Sequence, residues 1–235
     1  MPEITTTISS ILFILLLPMD QPLREFHLAN RTIVATKARL LDRHRPVYHL
    51  HLKRSPIFRL IEKAFPALND RWPELFLPAE IIIKKMKDGW ENEFRTEIAT
   101  YNLLKPLQGS IIPKFYGEAT YEGSPALVIS VVKGETLSEV ARSMSVPSHD
   151  DLHKLRSSIE TALRALWRYH VEYQDGKLDN LFLLRNGRVM IIDLELVNRT
   201  RKPWMHTENF DAVEYLTEDF VCRKRKYLKA LGCIC

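Results

Sequence analysis

The run Tyr173-Gln174-Asp175-Gly176-Lys177-Leu178-Asp179-Asn180 leads into two apolar stretches, Leu181 to Leu184 and Val189 to Ile192, the second ending on Asp193-Leu194-Glu195. Between them stands Arg185-Asn186-Gly187-Arg188. Asn-Gly flanked by apolar runs is the strongest short-range signal for a β-hairpin. A hairpin returns its second strand beside its first, so Asp193 is expected next to the loop that carries Asp175, Lys177 and Asn180. Two carboxylates, a carboxamide oxygen and an ammonium in one place suit metal-assisted phosphoryl transfer. Oxygen donors hold Mg²⁺, a positioned Asp accepts the proton of an attacking hydroxyl, and Lys offsets phosphoryl charge. The competing reading makes Asp175 and Asn180 plain turn formers. Asp179 reads as a solvated or capping acid.

Upstream, Glu80 to Met86 (EIIIKKM) reads as a strand with Ile82, Lys84 and Met86 on one face. Asp88 is placed to cap a helix running to about Leu104. Trp90, Phe94, Glu97, Tyr101 and Leu104 form one helical stripe whose central member is a carboxylate. A carboxylate inside an apolar stripe needs a cation, and Lys84 is the candidate. Lys85 faces the other way in a regular strand, and a solvated strand edge is the plainer reading of both lysines. Lys114 to Thr120 and Ala126 to Val132 read as a hairpin around Tyr121-Glu122-Gly123-Ser124.

Earlier in the chain, Thr32 to Leu41 and Pro46 to Leu52 alternate as short strands. Farther on, Ser148 with Asp151 resembles a capping box. The stripe Leu152, Leu155, Ile159, Leu163 and Leu166 continues as a helix to about Tyr169. His170 reads as a helix-end residue. A basic helix is expected from Glu218 to Leu231. The layout is α+β.

These motifs resemble the protein kinase-like superfamily, most of all the small fungal kinase-like proteins and the aminoglycoside or choline kinase branch. The loop resembles H-x-D-x-K-x-x-N, and Ile192-Asp193-Leu194-Glu195 resembles the metal-binding D-F-G strand end. The resemblance covers about residues 78 to 200. It implies a two-lobed protein kinase-like fold with a reduced N-terminal sheet lobe (26–133), a truncated helical C-terminal lobe (134–235) and a poorly defined apolar segment (1–25). It further implies Asp175 as catalytic base, Lys177 as neutraliser of the phosphoryl group, and Asn180 and Asp193 as Mg²⁺ ligands. Ile81-Ile82-Ile83-Lys84 resembles V-A-I-K, which makes Lys84 the ligand of the α/β-phosphates, with Glu97 as its helix partner. Ala126 to Gly134 resembles the strand and hinge that clasp adenine, which brings in Ser130 and Val132, with Ile82 of the Lys84 strand as a further nucleotide-binding candidate. The implied cofactors are ATP and Mg²⁺, and the implied activity is phosphotransfer to a hydroxyl acceptor. The alternative is a pseudokinase that binds nucleotide or scaffolds without catalysis.

The chain departs from the family at four places. Tyr173 stands where the pattern has His, and Leu194-Glu195 replaces Phe-Gly. Glu195 reads as a surface acid or as a group near the metal. Residues 1–88 contain no glycine, so no glycine-rich phosphate loop is available. No A-P-E triplet follows Asp193, so a small-molecule acceptor is expected over a folded protein.

Composition bounds the remainder. The 235 residues are 46% apolar and 27% charged, with net charge +5 and a pI near 9.1. This is globular composition that excludes disorder, collagen and coiled coil. The mild basic balance suits an anionic ligand such as a nucleotide and does not demand nucleic acid. Cys222, Cys233 and Cys235 are too few and too clustered for a disulfide framework, which points to a reducing, cytoplasmic compartment. Ile8 to Leu17 is too short to span a bilayer and lacks the flanks of a signal peptide. The basic run Arg223 to Lys226 with Gly232-Cys233-Ile234-Cys235 resembles the ends of some prenylated small GTPases, a possible membrane tether. A solvated helix end with free thiols is the simpler reading.

Overall fold

The computed structural model describes residues 24–42, 46–53, 76–143 and 145–233. The apolar run Ile8 to Leu17 and Cys235 lie outside the described residues.

Six antiparallel strands close into a barrel. They are β1 (Arg24–Leu28), β2 (Arg31–Asp42), β3 (Val47–Leu52), β4 (Glu80–Lys85), β5 (Phe115–Tyr121) and β6 (Ser124–Ser130), in the order β1-β2-β3-β4-β6-β5. Pairing of Phe26 with Tyr121 joins β1 to β5 and removes the open edge. Alternation sorts the side chains. Leu50, Leu52, Ile81, Ile83, Ala126 and Val128 fill the barrel, while Ile82, Leu127 and Ile129 pack on the other side. The β5–β6 turn is Glu122-Gly123, both at positive φ (50° and 75°), as a two-residue hairpin requires. Gly117 has φ 137° beside a bulge in β5. A Cβ there would meet Leu28 Cδ1 of β1 at 3.2 Å, so glycine permits the closing contact.

Helix α1 (Glu91–Leu103) crosses between β4 and β5 and buries Phe94, Glu97, Thr100 and Tyr101. The expected Asp88 cap does not form. Asp88 and Gly89 make a turn, and the N-cap is Trp90 with no side-chain cap bond. Trp90 also leaves the expected buried stripe: it is 39% exposed, with the Lys87 ammonium 4.2 Å from its ring centroid.

After β6 come β7 (Gly134–Thr136), α2 (Leu137–Ala141) and α3 (His149–Arg168). The Ser148–Asp151 capping box opens α3 as expected, and Thr136 with Glu139 forms a second box before α2. Then follow β8 (Val171–Tyr173), a 3-10 turn (Leu178–Asn180), β9 (Leu181–Leu184), β10 (Val189–Ile191) and β11 (Val197–Arg199). Strands β9 and β10 are the Asn-Gly hairpin. His170 ends the turn after α3 with φ 61°.

The last helix, α4 (Glu208–Ala230), begins ten residues before the expected Glu218. Asn209 hides the start of its buried stripe. This wholly buried polar side chain donates to Val171 O (2.9 Å) and accepts from Tyr173 N (2.7 Å), fastening α4 to β8. Inside the basic run, Lys224 is buried and not solvated. Its ammonium donates to Val140 O (2.9 Å) and Ser143 O (2.7 Å), satisfying carbonyls at the end of α2. One apolar core joins Leu127 and Ile129 of the barrel to Ile159 and Leu163 of α3 and Leu216 of α4. Among the described residues no helix is long and apolar enough to cross a membrane.

Candidate active site

Lys84 projects from the face of β4 opposite the barrel core, and α1 brings Glu97 to it. Its ammonium lies 2.7 Å from Glu97 Oε2, 2.6 Å from Asp193 Oδ1 and 2.8 Å from Glu195 Oε1. Lys87 approaches the other oxygen of Glu195 at 2.8 Å. Lys85 points away and pairs with Glu122, as strand alternation requires. The solvated-edge reading of Lys84 is thereby overturned, since the residue is 7% exposed.

Burial by itself would lower the Lys84 pKa, but Glu97, Asp193 and Glu195 together hold it above its ordinary value. Burial pushes Glu97 upward, opposed by Lys84. Among the described residues two ammoniums, Lys84 and Lys87, face the carboxyl groups of Glu97, Asp193 and Glu195.

Asp193 sits at the end of β10 in the left-handed region, φ 61°. Three contacts hold this segment. Ile192 N donates to Asn180 O (2.9 Å), Tyr173 Oη donates to Ile192 O (3.0 Å), and Leu194 N donates to Glu97 Oε1 (3.4 Å). The hairpin therefore does place Asp193 beside the preceding loop. In that loop Asp175 Oδ1 lies 2.5 Å from Lys177 Nζ, and Asp175 Oδ2 accepts from Asn180 Nδ2 at 2.8 Å. Asn180 is buried and spends its amide nitrogen on Asp175, so its remaining ligating atom is the carboxamide oxygen. Asp179 is solvated, with Arg223 at 4.0 Å.

A cavity of about 290 Å³ lies between β3, β4, the end of β6 and the β9–β10 hairpin. Ile82, Ser130, Val132, Lys84, Glu97 and Asp193 line it, together with Val47 and Phe182. Asp175, Lys177 and Asn180 stand outside the lining, tied to it through the Ile192–Asn180 bond. Ser130 bonds twice to Lys114, donating from its backbone N–H (2.8 Å) and accepting at Oγ (2.9 Å). Val131 and Val132 lie between β6 and β7, outside both strands.

A family model described as protein kinase domain matches residues 79–234. The chain belongs to the protein kinase domain family. No curated protein matches it. The match begins at β4, which carries Lys84, takes in α1 with Glu97, and leaves β1 to β3 outside. Kinase domains generally use ATP and Mg²⁺. The donor set of this kinase domain fits that ion, because Asp193 and Asn180 offer hard oxygen ligands and no thiol or imidazole stands among them.

One member of the site, Lys87, escaped sequence reading, and one of the two readings of Glu195 is overturned. Glu195 is not a surface acid: its side chain is 10% exposed and bridges Lys84 and Lys87. Its signal was the departure from glycine at that position. Lys87 carried no signal, since it follows the strand with no periodicity to mark it.

Proposed function

We propose that the chain is an ATP- and Mg²⁺-dependent phosphotransferase acting on a hydroxyl acceptor, a small molecule in preference to a folded protein. The observation that carries this reading is the meeting of Lys84, Glu97 and Asp193 at one cavity, with Asp175 oriented in the adjoining loop. In this reading the barrel side (26–133) and the helical side (134–235) are two lobes with nucleotide between them.

When bound, ATP with Mg²⁺ supplies the transferable phosphoryl group and the charge that stabilises its transfer. Ile82, Val47 and Phe182 give the base apolar walls, with Ser130 and Val132 at its edge. Lys84, oriented by Glu97, holds the α/β-phosphate oxygens. Asp193 and the Asn180 oxygen hold the metal. Asp175 accepts the acceptor's hydroxyl proton at a carboxylate oxygen, and Lys177 offsets phosphoryl charge. The Leu194-Glu195 pair in place of Phe-Gly supports the aminoglycoside or choline kinase side of the superfamily. Free, exposed Cys222 and Cys233 support a cytoplasmic location.

A pseudokinase is the second reading. It is favoured by Glu195, whose carboxylate occupies Lys84 at 2.8 Å, and by the absence of glycine throughout the β2–β3 segment. Thermal-shift titration with ATP and Mg²⁺ tests binding. No stabilisation at millimolar nucleotide rules against the enzyme. ATP turnover in the presence of candidate hydroxyl acceptors then separates the two readings. For the phosphotransferase, Asp175→Asn lowers turnover by about 10²–10⁴-fold. Equal rates for Asp175→Asn, Asp193→Ala and the parent protein defeat the assigned roles.

A further inference from the structure

His49 and His51 are alternate residues of β3, so both imidazoles leave the same face of the strand. Glu80 stands directly across from His51 in the β3–β4 ladder. Its two oxygens divide between the imidazoles: Oε2 lies 3.7 Å from His49 Nε2, and Oε1 lies 3.6 Å from His51 Nδ1. The two rings are 4.8 Å apart. One donor atom from each of the three residues falls within 4.8 Å of the others.

An ordinary explanation is a His–Glu pair on the barrel surface at the start of β4. The distances do not favour it, because a charge-assisted hydrogen bond closes to about 2.7–2.9 Å. His49 Nε2 is also buried and has no hydrogen-bond partner, a cost that a structural ion pair should have removed. A ligand between the groups accounts for both facts. Around a tetrahedral ion with bonds of about 2.0–2.1 Å, neighbouring donors stand roughly 3.3–3.4 Å apart. The two Glu80–imidazole distances exceed that by a few tenths of an ångström, and the three donor atoms, all within 4.8 Å of one another, would draw together by rotamer adjustment around an ion.

We propose that His49, His51 and Glu80 form a binding site for one divalent cation of the zinc class, with water completing its coordination. Two imidazole nitrogens and one carboxylate oxygen select zinc, cobalt, nickel or copper over Mg²⁺, whose preferred ligands are oxygens. The site is therefore chemically distinct from the oxygen set of Asn180 and Asp193. It does not depend on the phosphotransferase reading. His49 also lines the cavity beside Ile82, so a bound ion would fix the imidazole in that wall.

The three cysteines near the C-terminus are competing zinc ligands, so the test uses full-length protein carrying Cys222→Ser, Cys233→Ser and Cys235→Ser. Metal is removed with EDTA, the chelator is dialysed away, and the protein is titrated with Co²⁺ and then Zn²⁺. The expected result is one Co²⁺ per chain with the visible d–d absorption of a low-coordinate nitrogen/oxygen site. Zn²⁺ bleaches that absorption, and millimolar Mg²⁺ leaves it intact. His51→Ala and Glu80→Gln each weaken Zn²⁺ binding by at least about 10-fold. Both side chains are more than 40% exposed, so the metal-free melting temperature of each variant should match its parent. Zn²⁺ should raise the melting temperature of the parent and not of the double variant that combines His51→Ala with Glu80→Gln. Absence of saturable binding, or binding unchanged in the double variant, overturns the proposal.

Discussion

The ammonium of Lys84 lies 2.7 Å from Glu97 Oε2 and 2.6 Å from Asp193 Oδ1. A single charge thereby ties β4 to α1 and to the end of the β9–β10 hairpin, across three separate parts of the chain. Replacing it exposes how the cluster is balanced. Lys84→Met leaves three carboxylates facing one another without the ammonium they share. Breaking a buried pair in this way costs about 3–5 kcal/mol. Glu97→Gln costs less, because Lys84 keeps Asp193 and Glu195 and because burial already disfavours the Glu97 charge. Urea denaturation of both variants measures the difference, and equal losses contradict the shared-ammonium arrangement.

Glu195 bridges Lys84 and Lys87, and in the proposed reading it would compete with a nucleotide for them. Glu195→Ala leaves Lys84 to Glu97 and Asp193, releases Lys87 from its carboxylate, and in the proposed reading removes a negative charge near the phosphates. The expected outcome is tighter ATP binding in EDTA, by calorimetry, than in the parent protein. Weaker binding without metal would show that Glu195 positions the lysines and does not block them.

Tyr173 braces the residue before Asp193. Tyr173→Phe removes the hydroxyl that donates to Ile192 O and leaves that carbonyl short of a partner, at a cost of about 1–3 kcal/mol. The ring itself stays packed in the core, so the loss falls on the hydroxyl's hydrogen bonds, to Ile192 O and to the Asn180 side chain. Chemical denaturation reads it. If the phosphotransferase reading holds, turnover falls as well, through displacement of Asp193.

Asp151 gives a pH dependence with a defined sign. Hydrogen bonds from the Ser148 side chain and backbone hold its carboxyl below the ordinary value of 3.8. A group whose pKa is lower folded than unfolded stabilises the fold above the unfolded pKa. That contribution is lost as pH falls through the folded pKa. Asp151→Ala should therefore melt below the parent protein at pH 7, and the gap should shrink when both are melted below about pH 4. A gap independent of pH would assign the effect to packing.

Much of this molecule was legible because its signals are local. The Asn-Gly turn dictates the β9–β10 hairpin, and the hairpin dictates that Asp193 returns to Asn180. Ser148 and Asp151 announce the start of α3 three residues apart. A carboxylate in the apolar stripe of α1 demanded a cation, and strand alternation chose Lys84 over Lys85. Where local rules competed, reading failed. Asp88 has the right chemistry for a cap, but Gly89 turns the chain before α1 begins. Asn209 and Lys224 are polar residues buried by specific backbone partners, so they masked the length and the inward face of α4.

The sequence by itself marked β2 to β4, α1, the β5–β6 and β9–β10 hairpins and α3, and with the family resemblance it offered Lys84, Glu97, Asp175, Lys177, Asn180 and Asp193 as candidates, since those signals lie within a few residues of one another. Only the tertiary structure decided that the barrel closes through Phe26 and Tyr121, that Glu195 joins Lys84, and that Glu80 stands beside two histidines. Those relationships join residues far apart in the chain, and backbone pairing with close packing sets them where no sequence period can.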